Sequence, residues 1–127
     1  IASHSNARGA CFHLRNLSDE MIRQLAERGG VTGINFCPSF LREEEPATKK
    51  ASTMDMVRHM KYLRNVGGID IIGLGTDFDG FSGETDVPDT AHMQHLADVM
   101  SHEGFTDEEI EKVFSKNVLR VFRECWK

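Results

Sequence analysis

Gly73-Leu74-Gly75-Thr76-Asp77-Phe78-Asp79-Gly80 is the stretch on which the rest of the chain is organised. Ile69, Ile71, Ile72 and Leu74 lead into it without polar alternation. Such a run is expected of a strand buried on both faces, the parallel-sheet kind, here spanning residues 69–75. The strand ends in a carboxylate, a ring, a second carboxylate and a glycine. In an α/β barrel the loops after the C-terminal strand ends carry the chemistry, which makes Asp77 a candidate acid/base. The octet taken alone is equally the sequence of a tight turn, in which Asp and Gly serve backbone geometry.

At 127 residues the chain is within the size of one domain. A net charge of −5 with no basic block argues against nucleic acid and anionic surfaces as partners. No apolar run approaches the roughly 20 residues that span a bilayer, so no membrane partner is expected. The opening, Ile1-Ala2-Ser3-His4, has no charged-then-apolar leader and reads as part of something longer. Cys11, Cys37 and Cys125 are odd in number and widely spaced, without a Cys-x-x-Cys pair. They read as reduced thiols, with a cytoplasmic location as the expectation. No particular His is tied to any of them, so a catalytic thiol is not favoured.

Taken in order, residues 1–3 form a short apolar entry strand with His4 at its end. Ser18 is positioned as an N-cap with Asp19 and Glu20 in the first turn, and Met21, Ile22, Leu25 and Ala26 mark an apolar face. Residues 31–37 form the next strand, stopped by Pro38. Residues 41–52 are read as a charged, structureless connection, more a solvated excursion than a flap. A helix resumes near Thr53, with Met56, Val57, Met60, Leu63 and Val66 on one face and Gly67-Gly68 at its end. After the octet, Asp89 or Thr90 caps a helix carrying Met93, Leu96, Ala97 and Met100. Thr106 and Glu109 then make a capping box, and a terminal helix carries Val118, Leu119, Val121 and Phe122. The alternation of strand and helix predicts parallel strands with right-handed crossovers.

Ser3-His4-Ser5-Asn6-Ala7, Arg15-Asn16-Leu17-Ser18-Asp19, residues 31–36, Gly75-Thr76-Asp77-Phe78-Asp79-Gly80 and Asn117-Val118-Leu119-Arg120-Val121-Phe122 stand in this order. Together they resemble the C-terminal portion of the membrane (renal) dipeptidase family, zinc dipeptidases with an amidohydrolase-like TIM barrel. The resemblance covers essentially the whole chain. It implies that residues 1–127 are a partial TIM-barrel metallo-dipeptidase domain: strands 6–8 of a (β/α)8 barrel plus C-terminal helices. It implies that His4, at the end of the sixth strand, is a zinc ligand. Arg15 would bind the free carboxylate of a dipeptide substrate. Asp77 would be the proton shuttle for a metal-activated hydroxide, and Asn35 and Phe36 would line the substrate.

The chemistry agrees with those roles. Neutral imidazole is a good zinc donor, a guanidinium fork matches a planar carboxylate, and a carboxylate can pass a proton to a leaving amine. The family's complete site holds two zinc ions. Its His-x-Asp pair, bridging Glu, second His ligand and carbonyl-polarising His have no counterpart in these residues, which supply one ligand. The expectation is that this chain alone is inactive, and that it assembles as a homo-oligomer or is complemented by the remaining barrel segment.

His92 and His95, three apart with Asp89 nearby, are read as solvated helix polars, and His13 as loop polarity. A calcium reading of Asp77 and Asp79 fails, because Phe81 and Ser82 stand where the loop needs an oxygen ligand and a glycine. The competing function is a non-catalytic barrel relative used for binding or scaffolding. It is favoured if His4 points into packed apolar core, and disfavoured if His4, Arg15 and Asp77 meet on one face.

Overall fold

The computed structural model of the chain describes residues 1–43 and 50–127. Its regular elements are α1 (Asp19–Glu27), β1 (Thr32–Asn35), α2 (Pro38–Leu41), β2 (Lys50–Ala51), α3 (Thr53–Gly67), β3 (Ile72–Thr76), β4 (Glu84–Thr85), α4 (Met93–His102), α5 (Asp107–Glu111) and α6 (Asn117–Cys125). β1 and β3 pair in parallel, Thr32 opposite Ile72 and Ile34 opposite Leu74. The entry strand lies on the other side of β1, again parallel, but through one bridge only, Ala2 to Thr32. All four residues of β1 are buried, as the middle of three strands requires.

Glycine sets how closely these strands approach. A Cβ on Gly75 would lie 2.2 Å from the Ser3 carbonyl oxygen and 2.9 Å from the His4 Cα. One on Gly33 would lie 2.3 Å from that same oxygen and 2.7 Å from the Gly75 Cα. The entry segment therefore crosses close over the two glycines, and its pairing with β1 is the single bridge at Ala2.

The helices form where their caps and apolar faces dictate. Ser18 caps α1 by accepting from the Met21 N–H, and Ile22 is its buried anchor. α3 starts at a reciprocal box between Ser52 and Asp55 and buries Met56, Val57, Met60 and Leu63, the predicted face, while Val66 is only half-buried. Each such side chain contributes about 1.5–3 kcal/mol. The Thr106–Glu109 box caps α5, which runs through a π-type turn, Lys112–Lys116, into α6. Phe105, just before that cap, is buried beneath the Arg64 guanidinium, 4.2 Å from its ring centre.

Four expectations change. The stretch read as a strand from residue 69 begins instead with a 3-10 turn, Ile69–Ile71, and β3 starts at Ile72. Asn117, buried on α6, explains how this is tolerated: its amide donates to the carbonyls of both Ile69 and Ile72 at 2.8 Å. The connection read as structureless is ordered at both ends. Leu41 closes α2 fully buried, and β2 pairs in parallel with β4, Lys50 opposite Glu84. Pro38 at the first helical position starts α2 rather than merely stopping a strand. The acidic centre of that connection, residues 44–49, lies outside the described residues. The terminal helix predicted from Asn117 runs on to Cys125.

His59 is the one fully buried histidine among the described residues. Its Nδ1 accepts from the Ala7 N–H at 3.2 Å, so Nε2 carries the proton and donates to the Leu41 carbonyl at 3.0 Å. Burial holds its pKa at about 4, down from 6.5. A depressed histidine pKa stabilises the fold above pH 6.5, and that contribution is lost as pH falls toward 4. Chemical denaturation should show about 2 kcal/mol more stability lost between pH 7 and pH 5 in the wild type than in His59→Gln. Equal losses would show that His59 is not the titrating group.

The glycine contact gives a second expectation. Gly75→Ala should lower stability by roughly 1–3 kcal/mol, because its methyl meets backbone rather than a movable side-chain end. A thermal melt within a degree of wild type would overturn the close-approach account.

Candidate active site

Three elements end at the same place. The turn after the entry strand carries His4, β1 ends in Asn35, and β3 delivers Asp77. His4 is half-buried rather than packed in apolar core. Its Nε2 faces the Arg15 Nη2 at 3.4 Å and its Nδ1 lies 2.6 Å from the Ser3 hydroxyl. Arginine only donates, so Nε2 is the acceptor and the Nδ1 proton goes to Ser3. That lone pair is taken by the Arg15 N–H here, so a metal on Nε2 requires the guanidinium to turn away from it.

Arg15 is exposed and comes from the loop before α1. Its guanidinium stands over the Phe40 ring at 5.0 Å, and the His13 ring packs on that same ring at 4.5 Å. His13 also accepts from the Arg15 backbone N–H at 3.1 Å. The loop is pinned from below. Asn16 donates to the carbonyls of Cys11 and Phe40, both at 2.9 Å. The Arg8 side chain donates to the carbonyls of His13, Leu14 and Asn16.

Asp77 is half-buried, and its backbone is in the left-handed region, φ 67°, following Thr76 at φ 28°. Both residues spend conformational energy there, a pattern concentrated at functional sites. Gly80 donates its N–H to the Asp77 carbonyl at 2.9 Å, so the octet is a turn as well. A Cβ on Gly80 would lie 2.0 Å from Asp77 Oδ1, so any side chain there would displace the carboxylate. Asp77 Oδ2 accepts from the Asn35 amide at 3.2 Å, and that amide also reaches the His4 carbonyl at 3.4 Å. His4, Arg15, Asn35 and Asp77 are thus joined by direct contacts.

Asn35 and Phe36 do not present themselves to a ligand as expected. Both have zero exposure. Phe36 belongs to the core and meets Phe78 edge-on at 5.6 Å, supporting the turn after Asp77 from beneath. Asn35 is consumed by internal hydrogen bonds. The strand register shifts at this point, Ile34 pairing with Leu74 but Asn35 with Thr76, which leaves Gly75 as the extra residue on β3.

Sequence reasoning missed Asn6 and Phe40. Asn6, fully buried, brackets the Asn35 backbone: its Oδ1 accepts from the Asn35 N–H at 2.8 Å and its Nδ2 donates to the Asn35 carbonyl at 2.9 Å. An amide inside an otherwise small-residue loop was the available signal. Nothing local in Pro38-Ser39-Phe40 announces a platform for Arg15.

The remaining candidates stay outside this cluster. Burial and the neighbouring Glu43 push the Cys11 thiol above its ordinary pKa, the wrong direction for a nucleophile. His92 pairs with Asp89 at 2.6 Å and His95 faces Asp86 at 3.6 Å, both at the surface. Among the described residues no group of three or more His, Cys, Asp or Glu is placed to hold a metal ion. A separate polar cleft of about 240 Å3 is lined by Ala10, Arg42, Glu43, Asp55 and Arg58. There Asp55 faces both arginines, at 4.0 and 3.7 Å, and none of the predicted site residues takes part.

Comparison with known proteins bears on this arrangement. Residues 1–126 match the family described as membrane dipeptidase, peptidase family M19. A dipeptidase of Claviceps purpurea is 34% identical over 98% of this chain and 29% of its own length. An uncharacterized protein of Klebsiella pneumoniae is 35% identical over 99% of this chain and 46% of its own. A Rhodobacter sphaeroides metallopeptidase, liganded with a phosphinate mimic of the dipeptide L-Ala-D-Ala, superposes with a TM-score of 0.83 at 31% identity. That match covers 90% of this chain and 32% of the neighbour. The chain therefore spans less than half the length of these relatives. It belongs to the membrane dipeptidase family, peptidase family M19.

Proposed function

We propose that this chain is the part of a zinc dipeptidase that binds the substrate carboxylate and moves the proton. The observation that carries the reading is the contact chain from Arg15 through His4 and Asn35 to Asp77. The Rhodobacter sphaeroides neighbour, bound to a dipeptide mimic, supports a dipeptide as substrate class. Its coverage supports these residues matching part of a longer chain, which this reading takes to be a TIM barrel with its last three βα units here. Free strand edges and exposed Ile1, Phe12 and Leu14 support pairing with further barrel segments or a second copy.

His4 would hold zinc through Nε2 once Arg15 has turned from it to the substrate carboxylate, with the other ligands of two ions coming from outside these residues. Zinc, when bound, supplies Lewis acidity toward the scissile carbonyl and an activated water. This chain's own residues do the rest. Arg15, steadied on Phe40, grips the C-terminal carboxylate with its planar fork and so fixes the register of the peptide bond. Asp77 takes one proton from the attacking water as its oxygen bonds to the carbonyl carbon. It then gives that proton to the amine nitrogen as the C–N bond breaks. Because one ligand does not hold zinc tightly, residues 1–127 alone should bind it weakly and hydrolyse nothing.

In the full-length protein Asp77→Asn should lower kcat by about 10²–10⁴-fold with KM nearly unchanged. Arg15→Met should instead raise KM, by at least about tenfold, and steady-state kinetics on a dipeptide would separate the two. Amidating the substrate's C-terminal carboxylate should abolish the Arg15→Met penalty. If the penalty persists on the amide, Arg15 is not the carboxylate grip. Wild-type protein with bound zinc that cleaves no dipeptide would end the enzyme reading and favour the scaffold one.

A further inference from the structure

We infer that Asn35 is a positioning residue for Asp77 and not a substrate contact. Every polar group of Asn35 is already engaged. Its N–H and carbonyl are bracketed by the Asn6 side chain at 2.8 and 2.9 Å. Its Oδ1 accepts from the Cys37 N–H at 2.8 Å, which settles the orientation of the amide. Nδ2 is therefore the group facing Asp77 Oδ2 at 3.2 Å and the His4 carbonyl at 3.4 Å. With zero exposure as well, Asn35 has neither surface nor spare donor for a ligand.

Asp77 needs such a hold. Its φ of 67° is a conformation that L side chains rarely adopt, so the backbone alone does not set the carboxylate's direction. Among the described residues the Asn35 amide is the side-chain donor on that carboxylate. Oδ1 stands over Gly80, where a Cβ would lie 2.0 Å away. The carboxylate is held between an amide on one oxygen and a bare glycine at the other. The register shift between Ile34 and Asn35 is what aims Asn35 at Asp77, the use to which irregular strand pairs are put beside sites. Asn6 locks the shifted backbone. The same amide reaches the His4 carbonyl, so one side chain sets the spacing between the proposed metal ligand and the proposed proton carrier.

This inference rests on the dipeptidase reading for its consequence but not for its geometry, and the test separates the two. Asn35→Asp keeps an oxygen for the Cys37 N–H and loses the donor to Asp77. In the zinc-loaded full-length protein it should lower kcat about 10–100-fold with KM within threefold. In an Asp77→Asn background the same substitution should cost less than about threefold more, because Asn35 acts only through Asp77. A merely structural role would add its full cost in both backgrounds. Raised KM with unchanged kcat, or additive losses, would overturn the inference. Should Asn35→Asp fail to fold, Asn35→Ser, which lacks the reach to Asp77, carries the same cycle. If the wild type cleaves no dipeptide, the functional reading fails by itself. A crystal structure of the variant then decides: a reoriented Asp77 carboxylate upholds the positioning role, and an unmoved one overturns it.

Discussion

The structure depends on how close three strand ends are allowed to come. Gly33 and Gly75 lie under the carbonyl of Ser3, with no room for a methyl on either. That vacancy of side chains lets the entry segment bend across β1 and β3, so that His4 sits against β3, the strand whose end carries Asp77. With any larger residue the entry segment would stand off by the width of a Cβ. His4, Asn35 and Asp77 would then lose their shared contacts. The constraint is steric: Gly33 pairs with Gly73, and Gly75 is the extra residue where the register shifts. It also needs no ligand, so the cluster can be assembled before anything binds.

Around this approach the chain uses buried side-chain amides where a larger protein could use more ladder. Asn6, Asn16, Asn35 and Asn117 are all buried, and each pairs with backbone atoms from segments distant in sequence. Loops and bulges leave carbonyls and N–H groups without regular partners, and an amide offers both a donor and an acceptor in one plane. His59 does the same work with an imidazole, tying the Ala7 N–H to the Leu41 carbonyl. Such groups are strong only while every one is satisfied, which makes them specific as well as fragile.

What the sequence made legible follows from range. Caps, apolar faces and strand polarity depend on neighbours within a few residues, so Ser18, the Thr106 box and the α3 face were readable. The family motifs marked His4, Arg15 and Asp77 because their spacing survives in a single chain. The 3-10 turn at Ile69–Ile71 was not readable, since it is rescued by an amide 48 residues away. Neither was the burial of Asn35 and Phe36. A register shift between two strands moves side chains without leaving any local mark. Phe40 was invisible for a similar reason: its value lies in a guanidinium contributed by another loop.

The division of labour within the cluster follows from which contacts are rigid. Arg15 is exposed and held by a ring contact and one hydrogen bond to His4, both of which can yield to an incoming carboxylate. Asp77 is held by a buried amide that is itself locked on both backbone groups by a second buried amide. Substrate capture tolerates motion, because a fork can follow its partner over some distance. Proton transfer does not, since it needs the carboxylate within hydrogen-bond reach of both the water and the leaving nitrogen. On the proposed reading Asn6 and Asn35 serve the second task, while the buried Asn16 anchors the loop from which the exposed Arg15 reaches. A scaffold without chemistry would gain nothing from holding an aspartate at φ 67° with a buried amide that is itself bracketed by a second one.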